Sequence, residues 1–336
     1  MSTTISSTSS PAGTHSAPAF RRRRVLALIQ HQGALIALII ACVFGFARYA
    51  SFLTPENLLN VLRQNSMVGL VALGMTFVIL TGGIDLSVGA LLATAGIVAG
   101  ALSSRGTALA IAGGVGAAAV LGMVNGLVIT KARIQPFVVT LAMMIAARGV
   151  ALAATREESV RVATDATGLT WLGRGWVGPI PVPVLLLLVA YALGWLVLRH
   201  TTFGRHVYAA GDEEGAARLL GLKVDRVVIA TYAVSGALAG LAGVVLAARL
   251  GAGQPVAGMG WELDAIAAVV VGGTVLTGGQ GGAGLTLTGV LLLGVILNLL
   301  NLEGTLSPWW QWVIRGGFLL FVVVVQARMQ RKLDDE

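Results

Sequence analysis

Cysteine and charge are both scarce in this chain. Cys42 is the single cysteine, which excludes an intramolecular disulfide and a thiolate metal cluster. The four histidines, His15, His31, His200 and His206, have no H-E-x-x-H or comparable spacing, so no metal site is expected. No Gly-Lys dipeptide and no G-x-S-x-G elbow occur, which removes the phosphate-binding P-loop and the hydrolase nucleophile from consideration. Charged residues make up only 11% of the 336, against 56% hydrophobic, and the mean hydropathy is +0.85. That balance is far from a soluble domain and reads as an integral membrane protein.

What is abundant is long apolar sequence and glycine, 45 residues of it, as suits helices that pack closely in lipid. A transmembrane barrel needs alternating strands of about ten residues, whereas "VLLLLVAYALGWLVL" (184–198) is apolar on every side. The expected fold is therefore all-α and polytopic, with about ten transmembrane helices at 33–52, 66–81, 86–102, 108–129, 136–154, 182–198, 227–248, 264–277, 283–300 and 309–327. Both termini are expected in the cytoplasm, since this threading puts three basic clusters (Lys131 with Arg133, the segment 199–226, and 328–332) on one side together. The net charge of +8 sits beside apolar segments rather than in one patch, so it reads as topology information and not as a nucleic-acid surface.

Residues 1–24 are expected to form a disordered cytoplasmic tail, 25–327 the transmembrane domain, and 328–336 a second tail. Arg21–Arg24 before an apolar run imitate a signal peptide, and "IIAC" ending at Cys42 resembles a lipoprotein cleavage site. The reading preferred here is an uncleaved first span whose N-terminus the arginines hold inside.

Two hydrophilic segments are long enough to act outside the bilayer. The loop 155–183 falls on the external side. It is either a connection anchored at the interface by Trp171 and Trp176, or a docking surface for an external partner through Arg156, Glu157, Glu158 and Arg161. The segment 199–226 is cytoplasmic. Asp212, Glu213 and Glu214 precede "GAARLL" as acids at a helix start, and Gly221 offers a stop. Its small residues suit contact with another protein; the alternative is a solvated connecting helix.

Inside the apolar region, "LTGGIDLSVGA" (80–90) raises a question of its own. Gly82 and Gly83 can end one helix, and Asp85 can cap the next. Such a turn, with no hydrophilic spacer, lies at or within the membrane, where irregular backbone is tolerated only inside protein or beside a wet cavity. Asp85 and Ser87 are thus candidates for the lining or gate of a path, with Gly82, Gly83 and Asn125, and a tight structural turn is the competing explanation. "LTGG" recurs at 276–279, and Glu262 and Asp264 head the span leading to it. These acids are either further path residues or simple helix N-terminal acids.

The stretches "GMTFVILTGGIDLSVGALLA", "NGLVITKARIQPFVVTLAMM", "AAGDEEGAARLLGLKVDRV" and "ELDAIAAVVVGGT" together resemble the permease subunit of bacterial ATP-binding cassette sugar importers of the ribose/xylose/galactose type, over about residues 57–326. The resemblance implies a homodimer, or a heterodimer with a related permease, around one central path in the bacterial inner membrane. It further implies ATPase subunits that bind ATP and Mg beneath and a periplasmic sugar-binding protein above, with no cofactor held by this chain. It implies that Gly211, Glu214, Ala216, Ala217, Arg218 and Gly221 form the helix that docks on the ATPase. The acidic triplet 212–214 departs from the family pattern, which often has a neutral residue such as Asn there. The rival reading from the residues alone is an ion-coupled carrier, which needs titratable groups within spans; Arg148 is the clearest mid-span charge. An enzyme is not expected.

Overall fold

The computed structural model describes residues 17–304 without a break, side chains from Gln32 onward, and isolated positions as far as residue 328. The tenth predicted span, 309–327, is described only at isolated positions, and the stretches 1–16 and 329–336 of the predicted tails lie outside the described residues. The first helix, α1 (Ala17–Arg48), starts within the predicted N-terminal tail. Between Phe20 and Gln32 no glycine or proline interrupts the chain, and arginine is a good helix former.

α2 (Pro55–Leu80) starts well before its predicted position because polar residues from Asn57 to Asn65 dilute its hydropathy. Local chemistry nevertheless sets the start. Pro55 occupies the first turn, and the Thr54 hydroxyl accepts the Asn57 N–H. The chain continues as α3 (Val88–Leu102), α4 (Thr107–Ala132) and α5 (Pro136–Thr155). The connection after α5 contains β1 (Val160–Arg161), α6 (Thr167–Arg174), β2 (Trp176–Val177) and β3 (Ile180–Pro181). Then follow α7 (Val182–His200), α8 (Thr202–Asp212), α9 (Glu214–Leu219) and α10 (Val224–Leu250). β4 (Ala252–Gly253), α11 (Trp261–Gly272) and α12 (Ala283–Glu303) complete the described chain.

Seven of these helices, α2, α3 with the turn after it, α4, α5, α7, α10 and α12, are long and apolar enough to cross a membrane. The apolar part of α1, Gln32–Arg48, is shorter. α11 differs from the expected span at 264–277: its 12 residues reach about 18 Å, well short of a hydrocarbon core of about 30 Å. Gly273, at φ 109°, stops it. The N–H groups of Gly273 and Thr274 turn back to the carbonyls of Val270 and Val269, and an irregular loop then runs from 274 to 282. Large apolar side chains lie exposed on α1 (Ile39, Ile40, Val43), α5 (Ile145, Val150) and α7 (Val189, Leu193), the pattern of helices whose outer faces meet lipid.

The tightest association is between α4 and α10. Buried Gly114, Ala118, Gly122 and Gly126 recur at four-residue spacing along α4, and Gly236 and Gly240 face them from α10. A β-carbon on Gly122 would come within 2.2 Å of the Tyr232 carbonyl oxygen, and one on Gly236 within 2.3 Å of that of Ala118. Without a solvent-driven hydrophobic effect between helices in lipid, such backbone-to-backbone packing supplies the van der Waals contact that holds a bundle.

The bundle has two distinct ends. At one, β1 pairs antiparallel with β4 (Val160 with Gly253, Arg161 with Ala252), and the Ser103 hydroxyl accepts the Ala163 N–H. At the other, the turn after α2, the end of α8 and the loop 274–282 meet. The loop 155–183 and the segment 199–226, which the threading placed on opposite sides, thus lie at opposite ends of the bundle.

Candidate functional site

The turn after α2 is built residue by residue. Gly82, at φ 76°, sends its N–H to the Ile79 carbonyl, and Gly83 sends its own to Val78; these two backward bonds are a Schellman ending of α2. Asp85 does not itself occupy the capping position of α3, as expected from sequence; Ser87 does. Instead Asp85 Oδ1 accepts the Ser87 N–H (3.0 Å) and the Ser87 hydroxyl (2.6 Å), while its Oδ2 accepts the Ser235 hydroxyl of α10 (2.9 Å). Asn125 of α4 donates to Ser87 Oγ (2.9 Å), and its own Oδ1 is buried without a partner. The Ile84 carbonyl accepts from Tyr232 and from Thr140. Asp85, Ser87, Asn125 and Ser235 are all completely buried. They form a knot that ties α3, α4 and α10 together, and they line no described cavity.

The end of α8 is wedged between the two "LTGG" stretches. A β-carbon on Gly211 would lie 1.9 Å from the Leu80 carbonyl oxygen and 2.7 Å from Gly279 N, and Gly279 N–H itself donates to that Leu80 oxygen (3.0 Å). Tyr208 of α8 donates to the Gly281 carbonyl (3.0 Å), and burial pushes its phenol pKa up. The sequence echo at 276–279 is not a structural repeat of the first. The ending that matches Gly82–Gly83 is Gly273–Thr274, and the second "LTGG" lies beyond it in the loop.

From this junction α9 projects outward. Gly221, at φ 84°, ends the segment as the sequence implied. Ala217 is buried within its own chain and Ala216 half-buried, so Ala217 presents no surface for a partner. Glu214 and Arg218 are bonded to each other by two N–H···O contacts of 2.9 and 2.7 Å. The bonds Arg218 donates to Asp225 and Glu214 raise its pKa further. What projects is Leu219 and Leu220, 90% and 85% exposed, two residues that sequence reading passed over. Their signal was present: adjacent leucines in a polar segment, next to a glycine stop.

At the opposite end, Arg156 and Glu157 adopt left-handed conformations (φ 53° and 66°), and with Glu158 and Arg161 they are exposed. Trp171, Trp176 and Val177 are also exposed there. The structure thus brings the charged and aromatic residues of this loop onto one end, held by β4. Arg148, the mid-span charge, donates to the Pro255 and Ala257 carbonyls and so fastens the loop before α11. Glu262 lies beside the start of α3, where a β-carbon on Gly89 would come within 2.7 Å of its Oε2.

Of the seven path candidates, Asp264 lines a cavity. That cavity, about 400 Å³, is lined by α2, α11 and α12 and by Ile314, one of the described positions beyond α12. α2 contributes Asn60, Gln64, Asn65 and Val68; α11 contributes Trp261, Asp264, Ala267 and Ala268; α12 contributes Val290, Leu293, Asn298 and Asn301, among others. Its polar residues lie toward the start of α2 and the end of α12, at the end of the bundle opposite Gly211. Asn298 and Asn57 exchange amide bonds of 2.7 and 3.0 Å beside it. Beyond its apolar floor, α11 and α12 meet without side chains between them: a β-carbon on Gly289 would lie 1.9 Å from the Ala268 oxygen. Among the described residues, no group of His, Cys, Asp or Glu could hold a metal ion.

A polytopic helical bundle with one helix too short to cross a hydrocarbon core, a polar cavity between helices and a short helix projecting from one end is the build of a transport permease. Residues 57–323 match the family described as "Branched-chain amino acid transport system / permease component", and the chain belongs to it. It is 40% identical to the ribose import permease of Escherichia coli (strain K12) over 314 residues, 92% of this chain and 98% of that protein. It is 45% identical to the ribose import permease of Bacillus subtilis (strain 168) over 90% of this chain and 94% of that one. To the L-arabinose permease of Azospirillum brasilense it is 36% identical over 94% of each. No solved structure matches the chain.

Proposed function

We propose that this chain is the membrane subunit of an ATP-driven importer for a monosaccharide, and that it works by alternating access. Its place is the inner membrane, as the name of a 37% identical Escherichia coli relative states for that protein. A periplasmic binding protein delivers the sugar to the end bearing β1 and β4, and separate ATPase subunits, which hold the ATP and Mg, act at the end bearing α9. Both termini and α9 then face the cytoplasm, and the path is completed by a second permease chain, identical or related. This chain catalyses no covalent step and binds no cofactor of its own.

The observation that carries this reading is the junction at Gly211. A segment with two projecting leucines is joined, backbone against backbone, to the endings of the helices that border the cavity. A push on α9 is therefore passed to α2 and to the loop between α11 and α12. Uphill flux needs such a link, because an energy source drives a cycle only through differential contact with its states.

The test is to isolate the chain in mild detergent from its native membrane, identify co-purifying chains by mass spectrometry, and measure uptake of labelled D-ribose, L-arabinose and D-allose in proteoliposomes. An ATPase at near-stoichiometric amount, with uptake that requires ATP, is the expected result. A homogeneous lone chain that transports without ATP overturns it.

A further inference from the structure

The cavity between α2, α11 and α12 carries more information than its existence. Its polar lining is mostly neutral amide: Asn60, Gln64, Asn65, Asn298 and Asn301. A side-chain amide offers two N–H donors and a carbonyl acceptor on one small planar group; Asn65 gives one N–H to the Val61 carbonyl and Asn298 exchanges bonds with Asn57, so a solute meets the valences these bonds leave over. That combination matches a solute in which every substituent is a hydroxyl, able to donate and accept at once. The single carboxylate, Asp264, adds strong acceptors, and the Trp261 indole adds an apolar plane against which the C–H face of a sugar ring can lie. No lysine, arginine or histidine lines the cavity among the described residues. An amino-acid carboxylate or a sugar phosphate would find no counter-charge among these described lining residues, and would enter past them at a high desolvation cost.

The arrangement also has a direction. Asn60, Gln64 and Val68 fall at four-residue spacing on one face of α2, while Asn298 and Asn301 occupy the last two turns of α12. Deeper in, the lining changes to Val68, Ala267, Ala268 and Val290, and the close approach of Gly289 to Ala268 closes it off. The amides are thus concentrated at the mouth and the floor is apolar. The volume of about 400 Å³ lies within the range of small-molecule sites.

We infer that this cavity is the chain's own binding site for a neutral aldose. Its amide mouth selects polyhydroxylated, uncharged solutes and rejects amino acids, whatever the family's descriptive title names. The assignment rests on the importer reading above, and the experiment separates the two. In a Cys42→Ser background, Asn60→Cys and Gln64→Cys are introduced singly into the complex, with Gly215→Cys on α9 as a control outside the cavity. A hydrophilic, membrane-impermeant thiol reagent is applied with and without D-ribose, L-arabinose, D-allose or L-leucine, and ATP-dependent uptake is measured alongside.

The expected result is modification at both cavity positions that blocks uptake and is slowed by at least one of the sugars but not by leucine, with no sugar protection at Gly215→Cys. Gln64→Ala, a smaller change, is expected to raise the uptake KM about fivefold with the maximal rate nearly kept. Normal wild-type sugar uptake with cavity thiols that react without effect and without protection overturns the cavity assignment alone. Protection by leucine and not by any sugar also overturns it. Absence of sugar uptake and of sugar protection together overturns both readings.

Discussion

The α-carbon of Gly211 lies so close to the carbonyl oxygen of Leu80 that a single added methyl group would fall 1.9 Å from it. Neither partner can yield by rotating a side chain, because both surfaces are backbone. Gly211→Ala must therefore part α8 from the end of α2. Overpacking of this kind costs about 1–3 kcal/mol, which corresponds to roughly a 5- to 150-fold change in a two-state balance. Uptake is expected to fall within that range while the ATPase still co-purifies. Gly215→Ala, at a position with nothing within 4 Å, is expected to leave uptake unchanged. Equal effects from the two substitutions, at matched chain levels, would remove the junction from the coupling route.

Leu219→Asp combined with Leu220→Asp exchanges two projecting apolar groups for charge at no cost to the bundle. The complex is expected to lose its ATPase on purification while the chain keeps its thermal unfolding midpoint. Ala217→Trp is expected to do the reverse, lowering that midpoint, because Ala217 is packed against its own chain. Size-exclusion chromatography and a thermal-shift assay read the two outcomes.

Asp85 accepts bonds from two serines and one backbone amide in a fully buried site. Asp85→Asn keeps one acceptor oxygen and turns the other into an N–H donor that the Ser235 hydroxyl can accept, and is expected to be tolerated, with stability and uptake near normal. Asp85→Ala leaves each of three donors unpaired, at about 1–3 kcal/mol apiece, and is expected to unfold in detergent at clearly lower temperature. If Asp85→Asn abolishes uptake without loss of stability, the carboxylate charge has a transport role beyond tying the helices.

Arg148 spends its donors on the carbonyls of Pro255 and Ala257. Arg148→Met is expected to raise hydrogen exchange in the loop 254–260 and to reduce uptake without altering its pH dependence. A changed pH profile would instead point to ion coupling through this residue.

Much of the bundle was legible in the sequence, because long apolar runs set spans at α4, α5, α7, α10 and α12 within a few residues. Two departures share one cause, the averaging that hydropathy performs. It shortened α2 by discounting Asn57 to Asn65, which include the residues that line the cavity, and it lengthened α11 past the glycine that ends it. Asp85 and Ser87 stood out as polar residues in an apolar setting, yet such a setting is shared by a dry knot and a wet path, and only the packing of Ser235 and Asn125 distinguishes them. Asn298 and Asn301 gave a weak signal alone. They acquire meaning through α2, more than 200 residues away in the chain.

The backbone seam between α4 and α10 bears on how such a bundle can move. Side chains at an interface can change rotamer and let two helices slide, but Gly122 against Tyr232 and Gly236 against Ala118 leave no rotamer to change. These two helices, with α3 tied to them at Asp85, therefore form a stator. α11 and α12 are locked to each other in the same way, at Gly289 against Ala268 and Gly272 against Leu285, so in the alternating-access cycle proposed above these two helices would move as one unit, and the cavity they share with α2 lies along its edge.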